Sequence, residues 1–545
     1  MTPPVAVISD THFHDIEGDF GFPGVIVGGR RLALRSWAET ATSARAFNES
    51  GAALRFALDA IRARGVRHIV LLGDYTDDGQ TETTHRLAAF LKEQRDLRFY
   101  AVPGNHDVFG PMGKHTATRL LAAPGRSVLV TSDPVLAAAE QDAVLTPNMR
   151  CHGQPAGLMP MASFGLSRQP EYLHWETPFG LSDSPDHRSY AAHSRDGGTT
   201  RHLMDASYLV EPEPGLWLLM IDANVFEPSD GDWQIGQKRA FIDPAAAGWN
   251  AIARVKPFLL DWIADVSARA AAGGKRLLTF SHYPALDPFG DSDGSEAALF
   301  GQTVIARRAP GPEAGRALEA TGVRLHFSGH IHAFNDSACG TGDGLLREVA
   351  LPSTTAFPPA FAILRDTAGG AGVEMVSITE MPLDPVFGDV YRAEAEETLS
   401  LPATFGTFLK EQMHRRILTR VVPRDWPADV AAILRDRNAL QLVGWLLGGG
   451  SIDTPVDIDH LVARHGLRAG ALEKYALNDL VVDWYLLRQA GALTGDAVSP
   501  ARLELCRMLT AEFADAAANP AEGPRAFFAR FFSVLAVSLA RFEGG

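Results

Sequence analysis

Six short runs of aliphatic and β-branched residues, each ending in a cluster of Asp, His, Asn or Gly, dominate the first two thirds of the sequence. They are VAVISD (5–10), HIVLLGD (68–74), RFYAVPGNHD (98–107), LWLLMIDAN (216–224), RLLTFSH (276–282) and VRLHFSGHIH (323–332). Such runs predict buried strands. Residues 53–65 and 255–274, which lie between them, have the apolar spacing of helices. Alternating strands and helices predict an α/β layered fold, whose ligands bind beyond the carboxyl ends of the strands.

This alternation of strands and helices changes twice along the chain. Residues 108–207 are rich in Pro, Gly, Ser and His without a sustained period, so we expect a long ordered insertion over the site. Strands resume at 348–351, 360–366 and 373–378, enough to complete a second sheet. From about residue 395 the pattern is helical. We therefore predict a catalytic domain over residues 1–390 and a C-terminal α-helical domain over residues 395–545.

Composition excludes several classes of protein. The net charge of −15 argues against an extended nucleic-acid-binding surface, although it allows a small phosphorylated substrate at a cationic metal centre. The three cysteines are far apart and form no C-x-x-C pair, so neither a zinc knuckle nor a disulfide framework is indicated. No apolar run reaches the roughly 18 residues of a membrane span, and the first residues lack the features of a signal peptide. We expect a cytoplasmic protein.

The polar clusters at the strand ends indicate a metal site. Asp74 is followed by Asp77 and Asp78, and like charges this close repel unless a cation lies among them. The alternative is a polar turn after a strand. Together the clusters offer carboxylate, imidazole and amide groups but no thiolate, which suits Zn, Mn or Fe. The candidate ligands are Asp10, His12, Asp74, Asn105, His282, His330 and His332.

The number and spacing of these ligands indicate two ions. Seven ligands are too many for one tetrahedral ion and suit two ions bridged by a carboxylate. Asp10 and His12 are two residues apart, so on a strand both side chains would share a face, and the same holds for His330 and His332. A lone histidine such as His282 is more often a hydrogen-bonded side chain than a ligand. Five such clusters, each at a strand end, would be a rare coincidence.

The order D-x-H, G-D, G-N-H-D, H and G-H-x-H resembles the calcineurin-like metallophosphoesterase superfamily, over roughly residues 5 to 380. The resemblance implies a two-layered β sandwich flanked by helices, with two divalent ions. It implies that His106 assists the leaving oxygen and that Asp77 orients His106. The implied ligands of the first ion are Asp10, His12, Asp74 and His332, and those of the second are Asp74, Asn105, His282 and His330, with Asp74 bridging.

The implied reaction is hydrolysis of a phosphate ester by a metal-bridging hydroxide. Phosphoprotein phosphatases of this superfamily have an arginine where this chain has Asp78, and a glutamate in place of Asp107. Purple acid phosphatases have a tyrosine at the position of Asp77. The loop GDYTDDG is more similar to the phosphodiesterase branch, so we predict a preference for diesters, since no cation adjoins the motif loops.

Two alternatives remain open. A phosphomonoesterase becomes the better interpretation if an arginine of the insertion folds over the site and supplies the missing cation; the candidates are Arg150, Arg168, Arg188, Arg195 and Arg201. A catalytically inactive metal-binding module is a weaker alternative, because the ligand set is complete.

Other polar and aromatic residues receive smaller roles. His14 either faces the site or lies on the surface. Asp222 and Asn224 end a central strand, where we expect them at most to support the site. The C-terminal aromatic residues are predicted to be core rather than a ligand box; they are Trp484, Tyr485, Phe527, Phe528, Phe531 and Phe532.

Overall fold

The computed structural model describes residues 2–290, 294–367, 370–395, 400–514 and 522–544. The chain forms two compact units. The first comprises Met1–Pro288, Arg308–His332 and Asp336–Leu409, and the second comprises Phe289–Arg307, Ala333–Asn335 and Lys410–Gly545. All candidate site residues belong to the first unit.

The first sheet of this unit has five strands. Their order is Gly370–Ser377, Ala360–Thr367, Val5–Ile8, His68–Leu72 and Arg98–Val102. The last three run parallel, so their carboxyl ends meet at one edge. Ala360–Thr367 pairs antiparallel with Val5–Ile8. The predicted strands at 360–366 and 373–378 therefore complete the first sheet and not the second, a pairing that depends on tertiary contacts.

The second sheet has seven strands. Their order is His174–Glu176, Tyr208–Glu213, Leu216–Ile221, Arg276–Ser281, Leu325–Ser328, Leu346–Ala350 and Asn335–Cys339. From Leu216–Ile221 to Leu346–Ala350 the neighbours pair in parallel. The loops that carry His282, His330 and His332 therefore leave the same edge of this sheet.

Helices cover both sheets. Ser50–Ala63 and Thr81–Glu93 pack their apolar faces on the first sheet, and Leu54, Leu58 and Ile61 are buried as their spacing predicted. Pro244–Val255, Pro257–Ala272 and Pro312–Ala320 pack on the second sheet. The described part of the first unit also contains the helices Trp37–Thr40, Pro134–Ala139, Pro385–Glu394 and Phe405–Arg416, the last of which continues into the second unit. The predicted α/β fold is confirmed.

Residues 108–207 contain more regular structure than their sequence predicted. Ala117–Ala123, Arg126–Thr131 and Val144–Leu145 form a small sheet, and Ser189–His193 pairs with Thr200–Met204. Lys114–His115 pairs with Arg150–Cys151, and Val25–Val27 pairs with Arg30–Leu32 before the insertion. Most of these strands are short and carry exposed polar residues, so they lack the buried alternation by which strands are found in a sequence.

The second unit is built of helices. Within the described ranges they are Ser295–Phe300, Val304–Arg308 (whose last residue belongs to the first unit), Val422–Asp425, Ala428–Asp436, Ala439–Gly448, Asp459–Arg464, Ala469–Glu473, Leu477–Ala490, Pro500–Phe513 and Pro524–Glu543. Trp484, Phe527, Phe528, Phe531 and Phe532 are buried, which confirms their prediction as core. Among the described residues, no helix is long and apolar enough to cross a membrane.

Candidate metal centre

The backbone of the candidate ligands is unusual. Asp10, His12, Asp74, His330 and His332 have φ angles of 51°, 40°, 44°, 69° and 57°. Among the described residues other than glycine, Asp142 alone also has a positive φ. A left-handed backbone at such residues costs about 1–3 kcal/mol and clusters at functional sites. The ligand residues therefore sit in strained loops just beyond the strands, and the prediction that Asp10 and His12 alternate along a strand is wrong.

Two motif glycines leave room for the carboxylates. A Cβ atom at Gly104 would collide with the Asp74 carboxylate, and one at Gly329 would collide with Ser9 Oγ and Asp10 Oδ2. Any side chain at these positions would push the carboxylate aside. The close approach of backbone to carboxylate explains why these two motifs need glycine.

The first group of ligands contains Asp10, His12 and His332. His332 Nε2 lies 3.3 Å from Asp10 Oδ1 and 3.0 Å from His12 Nε2. His12 Nε2 lies 4.0 Å from Asp74 Oδ2. Four side chains thus direct ligand atoms at one small space, as a single metal ion would require.

The second group contains Asp74, His282 and His330, whose ligand atoms lie within 4.8 Å of one another. His282 Nε2 is 3.3 Å from Asp74 Oδ2. The other ring nitrogens face main-chain carbonyls: His282 Nδ1 is 3.0 Å from Leu72 O, and His330 Nε2 is 3.0 Å from Ala245 O. Such contacts fix the ring and present the opposite nitrogen to a metal. His330 and His332 therefore face different groups.

The donor atoms fit a pair of metal ions. Asp10 Oδ1, Asn105 Oδ1, His282 Nε2 and His330 Nδ1 are buried and make no well-formed hydrogen bond among the described residues; Asp10 Oδ1 and His282 Nε2 have the 3.3 Å contacts with His332 and Asp74 given above. Buried polar atoms are nearly always satisfied, so four such atoms within one set of candidate ligands need an explanation. Metal ions would satisfy all four. Asn105 lies between Gly104, which packs against Asp74, and His106, whose N–H donates to Asp74 Oδ1 at 2.7 Å.

The pKa values of His12, His330 and Asp74 suit metal binding, whereas the charge of Asp74 outweighs burial and raises the pKa of His282 to about 9. Burial, and after it the charge of Arg45, lowers the pKa of His12 well below its usual range. Burial and then the charge of His282 do the same to the pKa of His330. Neutral imidazoles are the form that binds metals. Burial alone would raise the pKa of Asp74, but His282 and His106 outweigh it and hold that pKa well below its usual range, so the carboxylate is ionised.

His106 lies at the edge of both groups. One of its ring nitrogens is within 4.8 Å of ligand atoms of His12 and Asp74. Its Nδ1 lies 2.6 Å from the main-chain carbonyl of Asp77 and 3.3 Å from Asp78 Oδ1. Asp77 thus contacts His106 through its backbone. The carboxylate nearest the ring in the described ion pairs is that of Asp78.

The Asp77 carboxylate is instead the partner of two arginines. It is fully buried and accepts hydrogen bonds from Arg35 on one oxygen and from Arg45 on the other. Arg45 Nη2 lies 2.7 Å from Asp77 Oδ1 and 3.5 Å from His106 Nδ1, and Lys114 Nζ lies 3.3 Å from Asp78 Oδ1. Sequence reasoning missed these three cations, because they lie outside every motif and reach the site only through tertiary contacts.

Asp107 holds two motif loops together. Its Oδ1 accepts hydrogen bonds from Thr76 N at 2.8 Å and Thr76 Oγ1 at 2.7 Å, and its Oδ2 accepts from Gly104 N at 2.8 Å. His14, which had two predicted positions, is buried with Nε2 2.8 Å from Ala33 O, so it lies neither on the surface nor among the ligands. Both residues serve the structure of the loops.

Residues 3–158 match the family model described as calcineurin-like phosphoesterase. The match confirms the resemblance for residues 3–158, which contain the D-x-H, G-D and G-N-H-D motifs, and the mixed sheets flanked by helices are the calcineurin-like fold with an added helical region. Residues 3–158 are thus similar to calcineurin-like phosphoesterases, and the first unit contains His/Asp groups that could hold metal ions. No match was found among curated proteins.

Three solved structures resemble the chain distantly. A dimetal phosphatase from Danio rerio is 16% identical, with a TM-score of 0.36 over 69% of this chain and 98% of that chain. A sulfate thiohydrolase, SoxB, from Thermus thermophilus is 13% identical, with a TM-score of 0.27 over 77% and 61%. A phosphopantetheinyl hydrolase from Mycobacterium tuberculosis is 12% identical, with a TM-score of 0.23 over 64% and 90%. Likenesses this distant carry no argument about activity.

Proposed function

We propose that this chain hydrolyses phosphate esters with two divalent metal ions. Asp10, His12, Asp74 and His332 would hold one ion, and Asp74, Asn105, His282 and His330 would hold the other. The observation that supports this most strongly is the set of four buried ligand atoms, on Asp10, Asn105, His282 and His330, that make no well-formed hydrogen bond. Manganese, zinc and iron all suit these ligands.

The ions would supply Lewis acidity and a nucleophile at neutral pH. The protein itself would supply the acid that assists the leaving group. The contact of His106 Nδ1 with the carbonyl of Asp77 favours a proton on that nitrogen and leaves Nε2 for the substrate. A protonated His106 would donate from Nε2 to the departing ester oxygen, a step that contributes typically 10²- to 10⁴-fold in rate.

A phosphodiester is our first choice of substrate. The alternative, a phosphomonoesterase, needs an arginine of the insertion over the metals. Four of the five candidate arginines instead donate hydrogen bonds elsewhere. Arg150 donates to Met112 O, Arg188 to Leu166 O, Arg195 to Glu227 and Arg201 to Trp233 O. A diester has one negative charge, which two metal ions offset without a further cation.

A phosphomonoester is the second candidate, because cations other than those predicted lie near the centre. Arg45 is 3.5 Å from His106, although it is also bonded to Asp77. After burial and His282, the charge of Arg308 contributes to the lowered pKa of His330. These arginines could help to bind the second negative charge of a monoester.

Turnover with defined metal content tests the proposal. The chain is stripped with a chelator, reloaded with Mn²⁺ and assayed with bis(p-nitrophenyl) phosphate and p-nitrophenyl phosphate. We expect activity only with metal, and its loss in Asp74→Asn. Asp483→Asn, which changes a buried carboxylate of the second unit, is the control and should keep activity. Two bound ions without turnover of either ester would favour an inactive metal-binding module.

The ratio of kcat/KM for the two esters decides the substrate class. A higher value for the diester, unchanged in Arg45→Met, is expected. A higher value for the monoester that falls selectively in Arg45→Met would contradict the diester proposal and identify Arg45 as the phosphate-binding cation.

A further inference from the structure

Asn224 connects two loops of the metal centre. It is 1% exposed and follows the strand Leu216–Ile221. Its Nδ2 donates to Pro103 O at 3.1 Å and to Gly104 O at 3.0 Å, and its Oδ1 accepts from the Tyr283 hydroxyl at 3.0 Å. One amide thus holds the backbone immediately before Asn105 and the side chain immediately after His282.

Tyr283 extends this connection to the imidazoles. The residue is 2% exposed, and its ring centroid lies 4.4 Å from that of His330 and 5.2 Å from that of His282. Packing at this distance restricts how either imidazole can tilt. The hydroxyl bond to Asn224 in turn fixes the tyrosine ring against both histidines.

A buried ion cluster anchors Asn224 itself. The N–H of Asn224 donates to Asp222 Oδ1 at 3.1 Å. Lys256 Nζ donates to Asp222 O at 2.7 Å and to Asp205 Oδ2 at 2.9 Å, and all three charged side chains are fully buried. Lys256 Nζ also lies 3.3 Å from Asp222 Oδ2, so two carboxylates balance its charge and hold the loop that presents Asn224.

The other ligands are supported differently. Asp10 O accepts from Ser353 Oγ at 2.7 Å, and His12 N donates to Asp74 O at 2.9 Å. Among the described hydrogen bonds, Asn224 makes none to Asp10, His12 or His332. The hydrogen bonds of Asn224 therefore support only one of the two groups of candidate ligands.

We propose that Asn224 and Tyr283 are positioning residues for one of the two metal ions, the ion of Asp74, Asn105, His282 and His330. This inference depends on the proposed bimetal function. Partners of ligand residues typically change metal affinity by 10- to 100-fold when they are removed. Loss of the hydrogen bonds made by Asn224 and Tyr283 should therefore weaken the binding of this ion and leave the ion of Asp10, His12 and His332 bound.

To test this, metal-free protein is titrated with Mn²⁺, and binding is measured by calorimetry and by electron paramagnetic resonance. The variants are Tyr283→Phe and Asn224→Ala. Tyr100→Phe is the matched control, because Tyr100 is also buried and its hydroxyl lies 3.0 Å from a histidine, His68, that is not a ligand. We expect wild type and control to bind two ions with a spin-coupled signal. Tyr283→Phe should bind one ion normally and the other about 10-fold more weakly, and Asn224→Ala about 100-fold more weakly.

The outcomes separate the two proposals. Wild-type protein that binds no Mn²⁺ would overturn the bimetal function and this inference with it. Wild type with two ions, and both variants with two ions of unchanged affinity, would overturn the positioning role alone. Equal weakening of both ions would also overturn it. If Asn224→Ala does not fold, Tyr283→Phe decides, since it keeps the ring and both carbonyl contacts of Asn224.

Discussion

Replacing Asp77 with asparagine should damage stability far more than catalysis. The Asp77 carboxylate is fully buried between Arg35 and Arg45, and the Arg35 and Arg45 side chains are only 7% and 15% exposed. Asparagine can accept a hydrogen bond from either guanidinium, but it cannot balance their charge. The variant would therefore leave two poorly solvated cations against each other.

The size of the effect follows from this burial. Breaking a buried ion pair by removing one partner costs about 3–5 kcal/mol. Because Arg45 is partly exposed and Asp78 also offsets its charge, we expect a loss of about 3 kcal/mol in the free energy of unfolding. Asp389→Asn is the control: the Asp389 side chain is 76% exposed and pairs with Arg392, which is 47% exposed, so its loss should cost less than about 1 kcal/mol.

Urea unfolding and turnover are measured on the same metal-loaded samples. The contact of Asp77 with His106 is made by the main-chain carbonyl, which asparagine retains, so kcat should fall less than about 10-fold. The double variant Asp77→Asn with Arg35→Met should regain part of the lost stability. Wild-type stability together with a fall in kcat of about 100-fold or more would refute this reasoning and show that the carboxylate orients His106.

Three further predictions concern other parts of the first unit. Burial raises the pKa of Glu49 to about 7, although the hydrogen bond from the Tyr391 hydroxyl acts in the opposite direction. The contribution of Glu49 to stability is therefore complete below about pH 4.5 and is lost as the pH rises through 7. The free energy of unfolding of the wild type, measured in urea, should fall by about 3 kcal/mol between pH 4.5 and 8. The Glu49→Gln variant should not show this fall. A difference in unfolding free energy between wild type and Glu49→Gln that does not change with pH would contradict the raised pKa of Glu49. Gly104→Ala should displace the Asp74 carboxylate and weaken Mn²⁺ binding in calorimetry, and unchanged affinity would refute the close-packing argument. His106→Ala should keep both ions and lose rate most on esters with poor leaving groups, whereas loss of metal would contradict its assigned role.

Much of the site could be predicted because its ligands follow strands that are visible in the sequence. The strands Val5–Ile8, His68–Leu72 and Arg98–Val102 are continuous buried runs, and each ends just before its polar cluster. Parallel pairing then brings those ends to one edge. Hydrophobic periodicity and the order of the motifs together sufficed for this part.

The local geometry at the ligands could not be predicted in the same way. Strand alternation placed Asp10 and His12 on one face, yet both have left-handed backbone beyond the strand. This conformation is unfavourable for either residue alone, and it persists because surrounding contacts such as those of Ser353 and Asp74 hold the loop. Single-residue preferences contain no such information.

The cations near His106 were also beyond sequence reasoning. Arg35 and Arg45 lie in a segment without a motif, and only folding brings them to Asp77. The sequence directed attention to the arginines of the insertion instead, most of which have other partners. Charge pairing between distant segments depends on packing that no spacing rule describes.

The central claim is that two metal ions share Asp74, and anomalous diffraction from crystals soaked in Mn²⁺ tests it most directly. We predict two peaks about 3.5–4 Å apart, both bonded to the Asp74 carboxylate. One peak should also contact Asp10, His12 and His332, and the other Asn105, His282 and His330. A single peak, or two peaks that do not share Asp74, would contradict the account.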